Sequence, residues 1–150
     1  MAPYLDIVKL IERLHRHFLD VLRAEIRSKN IEDINAVQAL LLYNIGNDEV
    51  AIRDLKDRGY YYGSNVSYNI KKLTEFGYLV QERNLHDRRS VRLKLTKKGI
   101  QLSEVIRDLQ EHMVSTIEEM PDMKSDLEFA ERALFRLERA WTDYIRYGRP

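Results

Sequence analysis

Residues 65–99 restrict the fold of this chain more than any other stretch. They read as a polar-faced helix, Asn65–Phe76, a terminating glycine at Gly77, and two strands, Tyr78–Arg83 and Val91–Thr96, joined by the loop 84–90. Another helix begins after Thr96. The second strand alternates, with Val91, Leu93 and Leu95 to one side and Arg92 and Lys94 to the other, as a half-buried strand must. A helix leading into a hairpin has to lay its apolar stripe and the hairpin's inner face on a shared core. The helix's polar side and the hairpin tip are then left outside.

Spacing of about 100° per residue groups Val66, Ile70 and Leu73 on the core side of this helix, with Asn69 close to them. Ser64, Asn65, Tyr68, Lys71 and Lys72 fall on the opposite half, and Ser67 lies at its edge. Ser64 is the expected N-cap. Hydroxyl, amide, phenol and ammonium groups on one face suit base edges and phosphates in a major groove; a merely solvated helix face has the same composition. The loop carries His86, Asp87, Arg88 and Arg89, with Arg83, Arg92 and Lys94 on its stems. An arginine at such a tip suits the negative potential of a narrow minor groove. Asp87 is expected to shape the loop or orient Arg89.

Charge is segregated in the same sense. Residues 1–49 carry six basic and eight acidic side chains, residues 50–100 twelve and five, and residues 101–150 seven and eleven. The net charge of +1 therefore hides a basic centre between acidic flanks, which points to a polyanion contacted by the middle of the chain.

On either side the pattern is helical. Tyr4, Ile7, Ile11, Leu14, Phe18, Leu22 and Ile26 recur at spacings of three and four, after Pro3 in a first-turn position. Asn35 followed by Gln38 resembles a capping box for a helix that stops near Gly46. Val50–Lys56 reads as a short amphipathic helix, and the turn that follows, residues 57–63, is aromatic and bracketed by Gly59 and Gly63. Together with the helix at Asn65 this makes a helix-turn-helix. A further helix runs from after Thr96 to the break at Pro121. In the last helix Leu127, Leu134 and Trp141 form one heptad row and Ala130, Leu137 and Tyr144 another. Stripes this wide on the first and last helices exceed what one small domain can cover, so a homodimer is expected.

The 150 residues contain no cysteine, which excludes disulfides and thiolate metal sites within the chain. No apolar run is long enough to span a bilayer, and no secretory signal is recognised, so no membrane partner and a cytoplasmic location are expected. His15, His17, His86 and His112 form no His-Glu-x-x-His pattern, and neither a phosphate loop nor a nucleophile elbow occurs. Glu118, Glu119, Asp122 and Asp126 read as solvated residues near a turn. No enzyme, metal or cofactor is expected.

The spacing Asp87-x-Arg89-x5-Leu95-Thr96, followed by Lys98-Gly99, resembles the wing signature of MarR-type transcriptional regulators. Asn35-x-x-Gln38, Val66-Ser67, Leu73 and Gly77-Tyr78-Leu79-Val80 extend the resemblance, which covers about residues 4–147. The turn Gly59–Gly63, longer and more aromatic than is usual in that family, departs from it. The resemblance implies a mainly α fold with a small β-hairpin wing: one domain over 1–150, a winged helix-turn-helix DNA-binding lobe at 34–99, and dimerisation helices at 3–29 and 100–147. It implies double-stranded DNA as partner, with recognition helices in successive major grooves and wings in the minor groove. It further implies a small aromatic or lipophilic anion as effector, for which His15, Phe18 and Tyr43 are the candidate lining. The plainer reading of each of those three is a packed core or surface side chain. An architectural DNA-binding or assembly protein using the same winged domain remains the alternative.

Overall fold

The computed structural model describes residues 2–47, 49–57, 63–83 and 91–149. The elements run α1 (Pro3–Ser28), α2 (Ala36–Ile45), β1 (Val50–Ala51), α3 (Ile52–Asp57), α4 (Gly63–Glu75), β2 (Leu79–Arg83), β3 (Val91–Leu95), α5 (Lys97–Glu118) and α6 (Met123–Tyr147). The chain is mainly α with one small antiparallel sheet, a winged helix arrangement. Two compact units divide it, Met1–Leu109 and Gln110–Pro150, with the boundary inside α5. Among the described residues no helix is long and apolar enough to cross a membrane.

Local chemistry explains the helix ends of the first unit. Pro3 occupies the first turn of α1. At α2 the capping box is complete: the Asn35 side chain accepts from the Gln38 N–H at 2.8 Å, and the Gln38 side chain accepts from the Asn35 N–H at 3.1 Å. Two of the N–H groups that a helix start leaves without partners are thereby satisfied. α4 closes with Tyr78 N–H on the Leu73 carbonyl and Gly77 N–H on that of Thr74. Gly77 stands at φ +84°, the left-handed conformation this closure requires.

The core of this unit draws on every element. Leu22 and Ile26 of α1, Leu41 and Leu42 of α2, Leu55 of α3, Val66, Ile70 and Leu73 of α4, Leu79 and Leu93 of the sheet, and Leu102 and Ile106 of α5 are all buried. Only the C-terminal part of α1 takes part. Tyr4, Leu5, Ile7, Leu10 and Leu14 remain exposed, Leu14 at 59%. The second unit presents a contrast, because no residue of α6 is buried.

Two expectations are corrected. The hairpin is joined by a third strand where the sequence predicts the start of a helix: Val50 and Ala51 pair antiparallel with Leu93 and Arg92, giving the order β1-β3-β2. An extended Val50 fills the open edge of β3 and buries its side chain there, whereas a helix beginning at Val50 would leave that edge unpaired. Helix α3 accordingly starts at Ile52. Secondly, α4 begins at Gly63, so Ser64 lies within the first turn instead of capping it. A cap residue has non-helical backbone angles, and here the helix has already started at the glycine.

Candidate nucleic-acid interface

α4 is divided lengthwise as its sequence predicts. Val66, Asn69, Ile70 and Leu73 are buried, while Asn65, Ser67, Tyr68 and Lys71 are exposed and Lys72 is half-buried. Tyr68, exposed at 59%, has the Lys72 ammonium 5.9 Å from its ring centroid, and Lys72 also pairs with Glu75 at 3.6 Å. The face thus carries an amide, a hydroxyl, a phenol and two ammonium groups on a rigid helix. The Ser64 side chain lies outside the described residues.

A hydrogen-bonded bridge holds the helix beside the hairpin. The Thr74 hydroxyl donates to the Ile70 carbonyl at 2.7 Å and accepts from Gln81 Nε2 of β2 at 3.1 Å. In the hairpin Leu79 faces Leu95, Val80 faces Lys94, Gln81 faces Leu93, Glu82 faces Arg92 and Arg83 faces Val91. Cross-strand partners share a face of the sheet. Arg83 therefore lies on the face of Leu93 and Leu95, at its exposed distal end, and Arg92 and Lys94 lie on the other. Arg92 also has the Glu49 carboxylate at 3.8 Å, a pairing that the sequence did not reveal. Exposed ion pairs are worth about 0–1 kcal/mol, so this one adds little to stability. The wing tip, with His86, Asp87, Arg88 and Arg89, lies outside the described residues, as do residues 58–62 of the aromatic turn.

Several hydrogen bonds converge at the root of the wing. The Thr96 hydroxyl donates to the Gly77 carbonyl at 2.6 Å and accepts from the Gly99 N–H at 3.2 Å, capping α5. Thr96 N–H donates to the Tyr78 carbonyl at 3.1 Å. A Cβ on Gly99 would come within 2.2 Å of that same carbonyl oxygen, so only glycine permits the approach. Lys98 Nζ donates to Asp33 Oδ2 and to the Phe76 carbonyl, both at 2.9 Å, and sits 4.3 Å from the Tyr78 ring centroid. The Tyr78 hydroxyl donates to Asp33 Oδ1 at 2.7 Å. Burial acts against the charge on Asp33, but the hydrogen bonds from Lys98 and Tyr78 outweigh it and hold the carboxyl below its usual range. Burial, and then the bond to Asp33, push the Tyr78 phenol far up, so it remains a donor. The residues Leu95-Thr96 and Lys98-Gly99 thus tie the hairpin, the end of α4 and the loop before α2 together.

The proposed effector residues are less clearly grouped. His15 is exposed, whereas Phe18 and Tyr43 are half-buried against the core. A concavity of about 560 Å³ lies elsewhere, between the end of α1 and the start of α2, with Arg23, Arg27, Ile31 and Asn35 on its wall. On α6, Leu127, Ala130, Leu134 and Phe135 line another of about 430 Å³. Neither includes the three residues.

Residues 34–99 match the family model described as a winged helix DNA-binding domain. The chain is 35% identical over 148 residues to the exopolysaccharide II synthesis transcriptional activator ExpG of Rhizobium meliloti (strain 1021), covering 99% of this chain and 76% of that protein. In fold it is similar to Streptococcus pneumoniae FabT, solved in complex with DNA, with a TM-score of 0.75 at 22% identity over 93% of this chain and 98% of that one. It is similar also to a MarR transcriptional regulator from Methanosarcina mazei Go1, with a TM-score of 0.72 at 22% identity over 91% and 96%.

Proposed function

The chain belongs to the MarR-type winged helix-turn-helix transcriptional regulators, and from that premise we propose that it binds a pseudo-palindromic double-stranded DNA site as a homodimer, in the cytoplasm. It is a sequence-specific DNA-binding regulator. The observation that carries the reading is the lengthwise division of α4. Its apolar side is locked into the core, and Asn65, Ser67, Tyr68 and Lys71 stand outward beside an exposed basic hairpin.

In this reading residues 34–99 are the DNA-binding lobe, and α4 lies in the major groove. Asn65, Ser67 and Tyr68 carry base choice, with Asn suited to adenine. Ser64, Lys71, Lys72, Arg83, His86, Arg88 and Arg92 supply mainly backbone contacts and salt sensitivity. Arg89 reaches the minor groove, with Asp87 shaping the loop around it. Segments 3–29 and 100–147 supply the dimer contacts, supported by the exposed apolar residues Leu14, Leu127 and Leu134. A two-fold protein reads two half-sites. An effector of aromatic or lipophilic anionic character, lodged near His15, Phe18 and Tyr43, would act by favouring a dimer geometry whose half-site spacing does not fit DNA.

The test is selection of bound duplexes from a random pool with the full-length protein. A sharp two-fold motif is expected. A flat profile would replace this reading with an architectural role.

A further inference from the structure

Apolar packing is not the only link between α2 and α4. Gln38, in the first turn of α2, and Asn69, in the middle of α4, are both buried. Gln38 Nε2 donates to Asn69 Oδ1 at 3.3 Å, while its Oε1 accepts from the Asn35 N–H at 3.1 Å. One carboxamide is therefore held at both ends, by the capping box of α2 and by the recognition helix. Asn69 comes one helical turn after Asn65 and directly after Tyr68. Its side chain points to the core beside Val66, Ile70 and Leu73.

Contacts made by those three apolar side chains are non-directional. They hold α4 against the core but discriminate weakly between nearby rotations of similar buried area. A buried hydrogen bond is directional, and leaving either partner unpaired is costly. It therefore selects one rotation. A turn of α4 about its axis would swing every outward side chain relative to the groove. We infer that the Gln38–Asn69 hydrogen bond is a positioning contact that sets the rotation of α4, so that Gln38 and Asn69 determine base preference without touching DNA. The inference rests on the proposed DNA-binding function.

The experiment compares the selected duplex with a scrambled duplex of equal length at fixed salt, using the full-length protein. The double variant Gln38→Met/Asn69→Leu removes both polar partners at nearly constant volume, so neither carboxamide is left orphaned. Its far-UV spectrum and cooperative urea transition should be retained. Its preference for the selected duplex should fall at least about tenfold, the discrimination of a single base contact. Affinity for the scrambled duplex and its salt slope should not change. Gln38→Glu is the conservative control. A glutamate at this position still accepts from the Asn35 N–H and suits a helix start, and it can accept from the Asn69 amide turned over. It should keep most of the preference. If the double variant does not fold, Asn69→Ser, too short to reach Gln38, should show the same loss of preference. Wild-type preference in the folded double variant or in Asn69→Ser would overturn the inference, as would a full loss of preference in Gln38→Glu. A wild-type protein that fails to distinguish the two duplexes would overturn the DNA-reading function itself.

Discussion

α4 and α6 are both amphipathic in sequence, but they are treated differently by the fold. The stripe of α4, Val66, Ile70 and Leu73, is buried within its own unit. That of α6, Leu127, Leu134, Trp141 and Tyr144, stays exposed, as does Ile145 at 81%. Where the chain covers its own stripe, the opposite polar face is the one available for recognition. Where it does not, the stripe itself is the surface that needs a partner, since exposed apolar patches of this kind mark interaction sites. One period of hydrophobicity thus serves two purposes.

The hardest test of the contrast is a charge on the uncovered stripe. Leu134→Glu should convert a dimer to a monomer in analytical ultracentrifugation while leaving the first unit folded. Affinity for a two-fold site should fall by about 100-fold or more, because a second half-site no longer adds avidity. A variant that sediments like the wild type would break the comparison, showing α6 to be a solvated helix despite its pattern.

The covered side can be probed at the junction that anchors α4. Gly99→Ala forces a methyl towards the Tyr78 carbonyl and should destabilise the first unit by about 1–3 kcal/mol, the cost of overpacking a tight site, read from urea denaturation. A smaller effect comes from pH. The Asp33 carboxyl is held below its ordinary value of 3.8 in the folded chain. Its contribution should be present in full above that value and be lost as pH falls through the lower folded value. The difference in Tm between wild type and Asp33→Asn should therefore be largest near neutrality and shrink below about pH 4. A gap that stays constant down to pH 2 would show that Asp33 acts by packing, not by charge.

The parts legible in the sequence are those decided within a few residues. The Asn35–Gln38 box, the Gly77 stop and the alternation Val91–Leu95 each follow from a local rule, and the 3.6-residue period placed Asn69 near the core. Long-range pairing was not legible. Two residues, Val50 and Ala51, become a strand only because β3, about forty residues later, offers an edge. Asp33 acquires its meaning from Tyr78 and Lys98, and nothing in its own neighbourhood announces them. The motif Leu95-Thr96 with Lys98-Gly99 was recognisable as a pattern, but its physical content, a cap plus a backbone approach that excludes Cβ, appears only in three dimensions. The polar face of α4 is legible for the same reason as the helix: which side is exposed follows from which side is apolar.

The hairpin adds a finer distinction on the polar side. Among the described residues, Arg92 of the hairpin stem has an acidic neighbour from outside the hairpin, Glu49 at 3.8 Å. Both side chains are substantially exposed, so the pair should contribute little to stability, about 0–1 kcal/mol. It does reduce the positive field that a phosphate meets on approach. Glu49→Gln should therefore leave the urea midpoint almost unchanged, tighten DNA binding modestly and steepen its dependence on salt, as expected when one more cation engages the backbone. The same gain should appear with operator and with scrambled duplex, since phosphate contacts carry no base information. A change confined to the operator would instead place Arg92 among the base-reading residues and blur the division between the reading helix and the anchoring hairpin.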